Sequence, residues 1–430
     1  MWKDIKSGLD RFVEASRVRK VIYLLDKLWV RITVIGALSL LSILLARVFE
    51  PLIPDGVGDL LGAGSVEDLL NIIASSMIAA TIFSLTVMVS IHRSASGQWT
   101  PRVHEVMMND RTSQNVIATL MGAYIFALAS LVFYRSAYFG EKQTVVLFVI
   151  TIFVLVLIIF SIIRWAIHLQ DFGSLQTTAG QVEKRAQAVL SGRANKQYRG
   201  GHFLENRNDV PEDARPIRSK KTGYVEYLLE DELDEAAEKA DSDLYLVVEA
   251  GDFVFLDEIL AFATDPDDAL EGAVDKLVVI SSERSFSEDP RLGFITLGEI
   301  GSRAMSPGVN DPGTAIDVLT RMARLLIDHQ PEREVGDDVK NARLWVMPTQ
   351  ARSYFEEGIL PVLRDGSGMD EVQYMGQRVL CQLSRHPDRE IADAAKWARG
   401  IAMFYAEKGI ERPEVLAKLR EVGQQEAPKS

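Results

Sequence analysis

Apolar residues gather into long unbroken runs between residue 29 and about residue 170, and beyond that point no run is long enough to span a bilayer. Leu69 to Ile91 gives 23 residues without a charge, and at about 1.5 Å per residue such a helix reaches about 35 Å, enough for the hydrocarbon core. The same test gives 23 uncharged residues between Arg111 and Arg135 and 21 between Lys142 and Arg164. Only 15 lie between Arg31 and Arg47, but both arginines stand at the ends, where long basic side chains snorkel to the headgroups. The pattern predicts four transmembrane helices, at about 29–53, 69–91, 112–134 and 143–165, in a domain covering 29–170.

Ahead of them, residues 1–28 put Ile5, Leu9, Phe12 and Val13 near one helical face and bases on the other. This is the pattern of an interfacial helix or of a helix packed on a soluble domain. After the spans the periodicity changes. GYVEYLL, DLYLVVEAGDFVFL and KLVVISS have strand composition, with Ala250-Gly251-Asp252 as a turn and LDEAAEKA as a short helix, which predicts an α+β module over 222–282. From LGFITLGEIGSRAM to PEVLAKLREV the period is helical, so 283–430 reads as a helical bundle. The expected fold is therefore an all-α membrane domain, a cytoplasmic α+β module and a helical bundle.

Charge orients the chain. Eight bases precede the first span, whereas the loop after it holds Asp55, Asp59, Glu67 and Asp68, so the positive-inside rule puts both termini in the cytoplasm. No short apolar core ends in a small-residue cleavage site, so no removable signal peptide is expected. The single cysteine, Cys381, has no internal partner, in keeping with a cytoplasmic soluble half. Residues 164–221 carry eleven bases against six acids, and 171–221 reads as a basic connector. Residues 222–300 then carry 22 acids against four bases, which argues against nucleic acid as a partner.

On a helical wheel Asn71, Ser75, Ala79, Thr86 and Ser90 of the second span fall on one small, polar arc with Arg93. Such an arc serves close helix packing or lines a wet path. No acid or base lies deep in a span, and no proline interrupts the uncharged stretches, Pro51 standing only at the far end of the first span, which disfavours an ion-coupled carrier. The loop SASGQWTPRV holds Arg93 just before it, and Gln98, Trp99, Pro101 and Arg102 within it, at the expected membrane interface. In the soluble half, AMSPGVNDPGTAIDVL places Ser306, Pro307 and Gly308 at one helix end. Asn310, Asp311 and Pro312 open the next, with Asp311 as N-cap and Pro312 in the first turn.

No HExxH, paired cysteine, GxxxxGK[ST], GxGxxG or GxSxG occurs, and the six histidines are scattered, so neither an enzyme nor a cofactor or metal site is expected. DPDDALE lacks the spacing of a calcium loop and reads as a helix start. Ser306 has no histidine near it in sequence and reads as a turn serine.

Several motifs together carry a resemblance: FSLT (83–86), SGQWTPR (96–102), GYVEYL (223–228), AGDFV (250–254), and Arg284 through AMSPGVNDPGTA. The chain resembles the bacterial family of predicted membrane proteins called domain of unknown function 2254, departing from its pattern at SIHRSAS (90–96). The resemblance implies an inner-membrane protein with a shared cytoplasmic region and supplies no activity. From the residues themselves the leading expectation is an oligomeric channel-like protein in contact with lipid. The second span would border the pathway, and the acidic domain would form a vestibule for monovalent or divalent cations. The alternative is a membrane-anchored sensor or scaffold whose cytoplasmic part binds a partner.

Overall fold

The computed structural model describes residues 28–49, 63–98, 100–108, 111–136, 140–171, 174–195, 200–329 and 339–422. The expected helix over 1–28 lies, up to residue 27, outside the described residues, as does Trp99. Most of the described chain is helical, and it divides into two units. One comprises Met1–Gln98 and Met107–Ser174, the other Trp99–Val106 and Leu175–Ser430.

The first unit contains α1 (Leu28–Phe49), α2 (Ala63–Gln98), α4 (Arg111–Arg135) and α5 (Glu141–Asp171), while the short α3 (Pro101–Met108) belongs mainly to the second. Among the described residues, three stretches are long and apolar enough to cross a membrane: Ser65–Arg93, Thr112–Arg135 and Lys142–Gln170. Leu70, Ile73, Leu120, Phe126, Leu147, Val154 and Ile158 make their common core. Large apolar residues such as Phe160, Val132 and Ile167 point outward, the arrangement a lipid solvent favours. Helices α1 and α4 approach closely because Gly36 and Gly122 carry no side chain. A Cβ added to Gly122 would lie 2.5 Å from the Cβ of Ile35. Arg135 Nη2 donates to Glu67 Oε1 at 2.8 Å, joining the end of α4 to the start of α2.

The second unit opens with α6 (Leu175–Asn195), so the segment expected to be a basic connector contains a 21-residue helix. Its Glu183 accepts from Arg321 and Arg324 on a later helix, and Gly293 sits so close that an added Cβ would be 2.4 Å from Ala186 Cβ. A five-stranded sheet follows, built from β1 (His202–Phe203), β2 (Arg215–Arg218), β4 (Leu244–Leu246), β6 (Ile259–Ala263) and β8 (Leu344–Val346) in the order β1-β8-β4-β6-β2. A three-stranded sheet has the order β5-β3-β7, from β3 (Gly223–Leu228), β5 (Phe253–Val254) and β7 (Val278–Ser281). Helices α7 (Glu230–Lys239) and α8 (Asp268–Leu277) pack on each other, Asp267 capping the latter.

The α+β part therefore reaches beyond 222–282 in both directions. β8 pairs parallel with β4, and parallel partners need a long crossover, here the helices α9 (Pro290–Ala304) and α10 (Pro312–Ile327) between them. Asp252 lies in a turn between strands of different sheets, since β4 pairs with β6 and β8 whereas β5 pairs with β3. The remaining helices are α11 (Ala351–Tyr354), a π turn over Phe355–Ile359, α12 (Leu360–Asp365), α13 (Asp370–Leu383), α14 (Arg389–Gly409) and α15 (Pro413–Val422).

Candidate functional site

The polar arc of the second span faces outward within its unit. Asn71, Ser75, Ala79, Thr86 and Ser90 are all exposed on α2. Ser75 Oγ donates to Asn71 O at 2.8 Å and Thr86 Oγ1 to Ile82 O at 2.9 Å, so both hydroxyls are satisfied inside their own helix. The arc needs neither water nor a neighbouring helix to satisfy those groups. At its end Arg93 is exposed and Gln98 is the last residue of α2.

Pro101 and Arg102 belong to the second unit, although their segment lies in the chain between two membrane helices. Pro101 opens α3, where its fixed φ suits a first turn. Arg102 is ion-paired with Glu299 of α9. Val103 and Val106 are fully buried, and Arg185 Nη2 of α6 donates to Val106 O at 3.4 Å.

Around Arg102 the motifs that lay far apart in sequence converge. Pro101, Arg102, Tyr224, Ser282, Glu283, Arg284 and Leu292 line a cavity of about 330 Å³. The Arg284 guanidinium lies 6.0 Å from the Tyr224 ring centre. Its Nε donates to Asp289 Oδ2 at 2.6 Å, and its Nη1 is 3.6 Å from Glu357 Oε2. Nη2 is buried without a hydrogen-bond partner among the described residues.

Asp289 does two jobs. As N-cap of α9 it accepts from Arg291 N at 2.9 Å through Oδ1, and through Oδ2 it neutralises Arg284. Only glycine fits against it at position 251, where φ is +93° and a Cβ would lie 2.3 Å from Asp289 Oδ2. Arg291 then binds the same turn, its Nη2 donating to Asp252 Oδ1 at 2.8 Å and to Ala250 O at 3.2 Å. Burial pulls the pKa of Arg291 down, but Glu249, Asp252 and Asp289 more than offset this, and the group stays above the ordinary arginine value.

Glu357, carried on the π turn, faces both arginines, with Arg291 Nη1 3.9 Å from its Oε1. Burial pushes its carboxyl above the ordinary value against the pull of Arg291 and Arg284. Farther along the chain, Glu390 accepts from Ala351 N at 2.8 Å and is raised as well, first by burial, then by Asp388 and Glu249.

The motif 304–319 makes a closed corner between α9 and α10. Asp311 accepts from Thr314 N at 3.1 Å and from its hydroxyl at 2.5 Å, which lowers its carboxyl pKa. Asn310 adopts a left-handed φ of +49°, Ser306 O accepts from Asn310 N at 2.9 Å, and Pro312 opens α10. Pro307 and Gly308 are exposed.

Sequence reading singled out Arg284 and the Gly251 turn, but not Asp289, Arg291 or Glu357. Asp289-Pro290 repeats the cap signature of Asp311-Pro312 and was available as a signal. Nothing in the sequence marks Glu357, whose role depends on how the π turn packs on α9.

A family model described as a predicted membrane protein, DUF2254, matches residues 26–381. Uncharacterized proteins of Mycobacterium tuberculosis and Mycobacterium bovis are each 25% identical over 324 residues, covering 71% of this chain and 61% of the relative. The chain thus spans less than two thirds of the length of these curated relatives. No solved structure matches it.

Proposed function

The chain belongs to the DUF2254 family of predicted membrane proteins, and on that premise we propose that it is a membrane-embedded sensor, the soluble unit binding a small anionic ligand and passing its state to the spans. The observation that carries this reading is the cavity lined by Arg102 and Arg284. Arg102 comes from the very segment that continues into α2 on one side and toward α4 on the other. A ligand held there alters a piece of chain attached to two membrane helices, which is the physical requirement for coupling. Both guanidiniums already have carboxylate partners and Glu283 adds an acid to the lining, so a carboxylate or phosphate would enter by competing for them and by taking the Arg284 donor left unused, while Leu292, Pro101 and Tyr224 suit an apolar edge. No reaction is assigned.

The finer membrane layout is part of the same proposal. Helix α1 serves as a fourth span, both termini lie in the cytoplasm of a bacterial cell, and the protein resides in the inner membrane, as the distribution of bases favours. Tag-accessibility mapping in intact cells tests this, and a carboxyl tail reached from outside would overturn it. For the sensor, the full chain in nanodiscs is titrated with inorganic phosphate and with phenyl phosphate. At least one should raise its melting temperature in wild type and not in Arg284→Gln. The same ligand should change the maleimide labelling rate of Ser90→Cys. Absence of any shift with both probes sinks the ligand, and a shift without altered labelling sinks the coupling.

A channel-like homo-oligomer is the second reading, favoured by the outward-facing arc Asn71, Ser75, Ala79, Thr86 and Ser90. Its test is conductance in planar bilayers, reduced by Ser75→Leu or Thr86→Leu. Silence under voltage, tension and calcium counts against it.

A further inference from the structure

Two turns in the soluble unit are laced together at one edge of the three-stranded sheet. Asp257 N donates to Ser219 O at 2.9 Å and Ser219 N to Glu258 O at 2.8 Å. Leu256 N donates to Thr222 Oγ1 at 2.9 Å, and Arg218 Nη1 to Asp257 O at 2.8 Å. The 255–258 turn is further fixed by Phe255 N donating to Glu258 Oε2 at 2.8 Å, with Asp257 at a φ of +65°. The backbone there is held by these five hydrogen bonds and by Glu258 N donating to Phe255 O at 3.1 Å, so the side chains it displays are presented by a rigid support.

What it displays is unusual for a surface in water. Phe253, Phe255 and Leu256 are 43%, 64% and 59% exposed, and the Phe253 ring packs edge to face on both Phe255 and Tyr224. Beside them Lys220 and Lys221 are exposed, with no carboxylate partner among the described residues, although the region that follows is dominated by acids. The same turn also exposes Asp257 and Glu258, so the rim is mixed, but Arg218, Lys220 and Lys221, all exposed, outnumber the two carboxylates. An aromatic and aliphatic tip with that excess of bases matches the boundary between acyl chains and anionic headgroups. A protein partner for an acidic module would be expected to meet its acidic face instead. The chain passes at residues 98–99, 106–107 and 174–175 between the soluble unit and the unit that holds the apolar helices.

We propose that Phe253, Phe255 and Leu256, flanked by Lys220 and Lys221, form a docking surface for an anionic phospholipid bilayer, which sets the soluble unit on the lipid. The surface adjoins the cavity around Arg284 through Tyr224, which lines the cavity and packs on Phe253, but it does not require the cavity to be occupied. Lipid composition then regulates the exposure of the unit, since each lysine adds roughly a fivefold preference for anionic over neutral headgroups.

The test uses the full chain with Cys381→Ser, which leaves no other thiol, and an environment-sensitive fluorophore on Phe255→Cys. A control carries the label on Asp241→Cys, an exposed position on a different loop. In nanodiscs containing phosphatidylglycerol, emission at 255 should shift to the blue and be quenched by lipids brominated on their acyl chains, while the control is not. In pure phosphatidylcholine, or with Lys220→Glu and Lys221→Glu together, the quenched fraction should fall by roughly an order of magnitude. Green, unquenched emission at 255 in both lipids overturns the proposal. Blue emission without bromolipid quenching also overturns it, because the tip is then covered by protein, whether a second copy or another partner. To guard against an effect of the label itself, Phe255 is retained in a second version labelled at Leu256→Cys, whose side chain is exposed on the same tip, and the same lipid dependence is expected there.

Discussion

The two units differ in the kind of polar group they bury. Among the spans these are hydroxyls: Thr81 Oγ1 donates to Met77 O and Thr151 Oγ1 to Leu147 O, both at 2.7 Å and one turn away, while Ser130 Oγ is buried without a hydrogen-bond partner among the described residues. In the soluble unit Thr296 Oγ1 follows the same local pattern with Leu292 O, but the buried charged groups reach across the fold, Arg284 to Asp289 and Glu357, and Arg291 to Asp252 and Ala250. Local satisfaction is what a lipid solvent imposes on each helix separately, whereas long-range satisfaction makes the soluble unit depend on several elements arriving together.

That difference can be broken from its strongest side first. Asp289→Ala leaves Arg284 buried without its closest partner and removes the cap of α9, so the soluble unit should lose about 3–5 kcal/mol, read by chemical denaturation in nanodiscs. A loss under about 1 kcal/mol would mean the ion cluster carries little of the fold. Next comes the closest helix contact of the membrane unit. Gly122→Leu must push Ile35 aside and should cost about 1–3 kcal/mol, measured by unfolding in mixed detergent micelles, with the soluble unit unchanged.

A pH scan sharpens the contrast further. Glu357 and Glu390 are raised above the ordinary glutamate value, so their contribution is fully present below that value and is lost as pH rises through the raised one. The soluble unit should therefore lose melting temperature over the window running upward from pH 4.5, and Glu390→Gln should flatten that slope. An equal slope in the variant assigns the effect elsewhere. Smallest of all, Thr81→Val deletes only a hydroxyl bonded to its own helix and should cost about 0.6 kcal/mol or less. A larger loss would show that Thr81 serves a partner outside its helix.

The membrane unit was the more legible in the sequence. Length and the absence of charge suffice to mark a span, and Ser65–Arg93, Thr112–Arg135 and Lys142–Gln170 enclose the expected stretches 69–91, 112–134 and 143–165. The helices after residue 290 were equally plain from their period. Short elements were not. β2, β6 and β8 have three to five residues each, too few for an alternation to declare itself, and the turn at 250–252 was legible as a turn between two strands but not as one that changes sheets. The helix over 175–195 was hidden by its glycines and mixed charge, and it is held by Glu183 bonding to Arg321 and Arg324 from far along the chain.

By itself, then, the amino-acid order determined which stretches lipid can surround and where helices begin. Those outcomes follow from a residue and its neighbours within a turn or two. Only the tertiary structure decided that Arg102, Tyr224 and Arg284 meet around one cavity, that Glu357 answers two arginines, and that Phe255 is left facing outward. Each of these depends on the packing of segments tens of residues apart, a long-range property that no local pattern of hydrophobic and polar positions encodes.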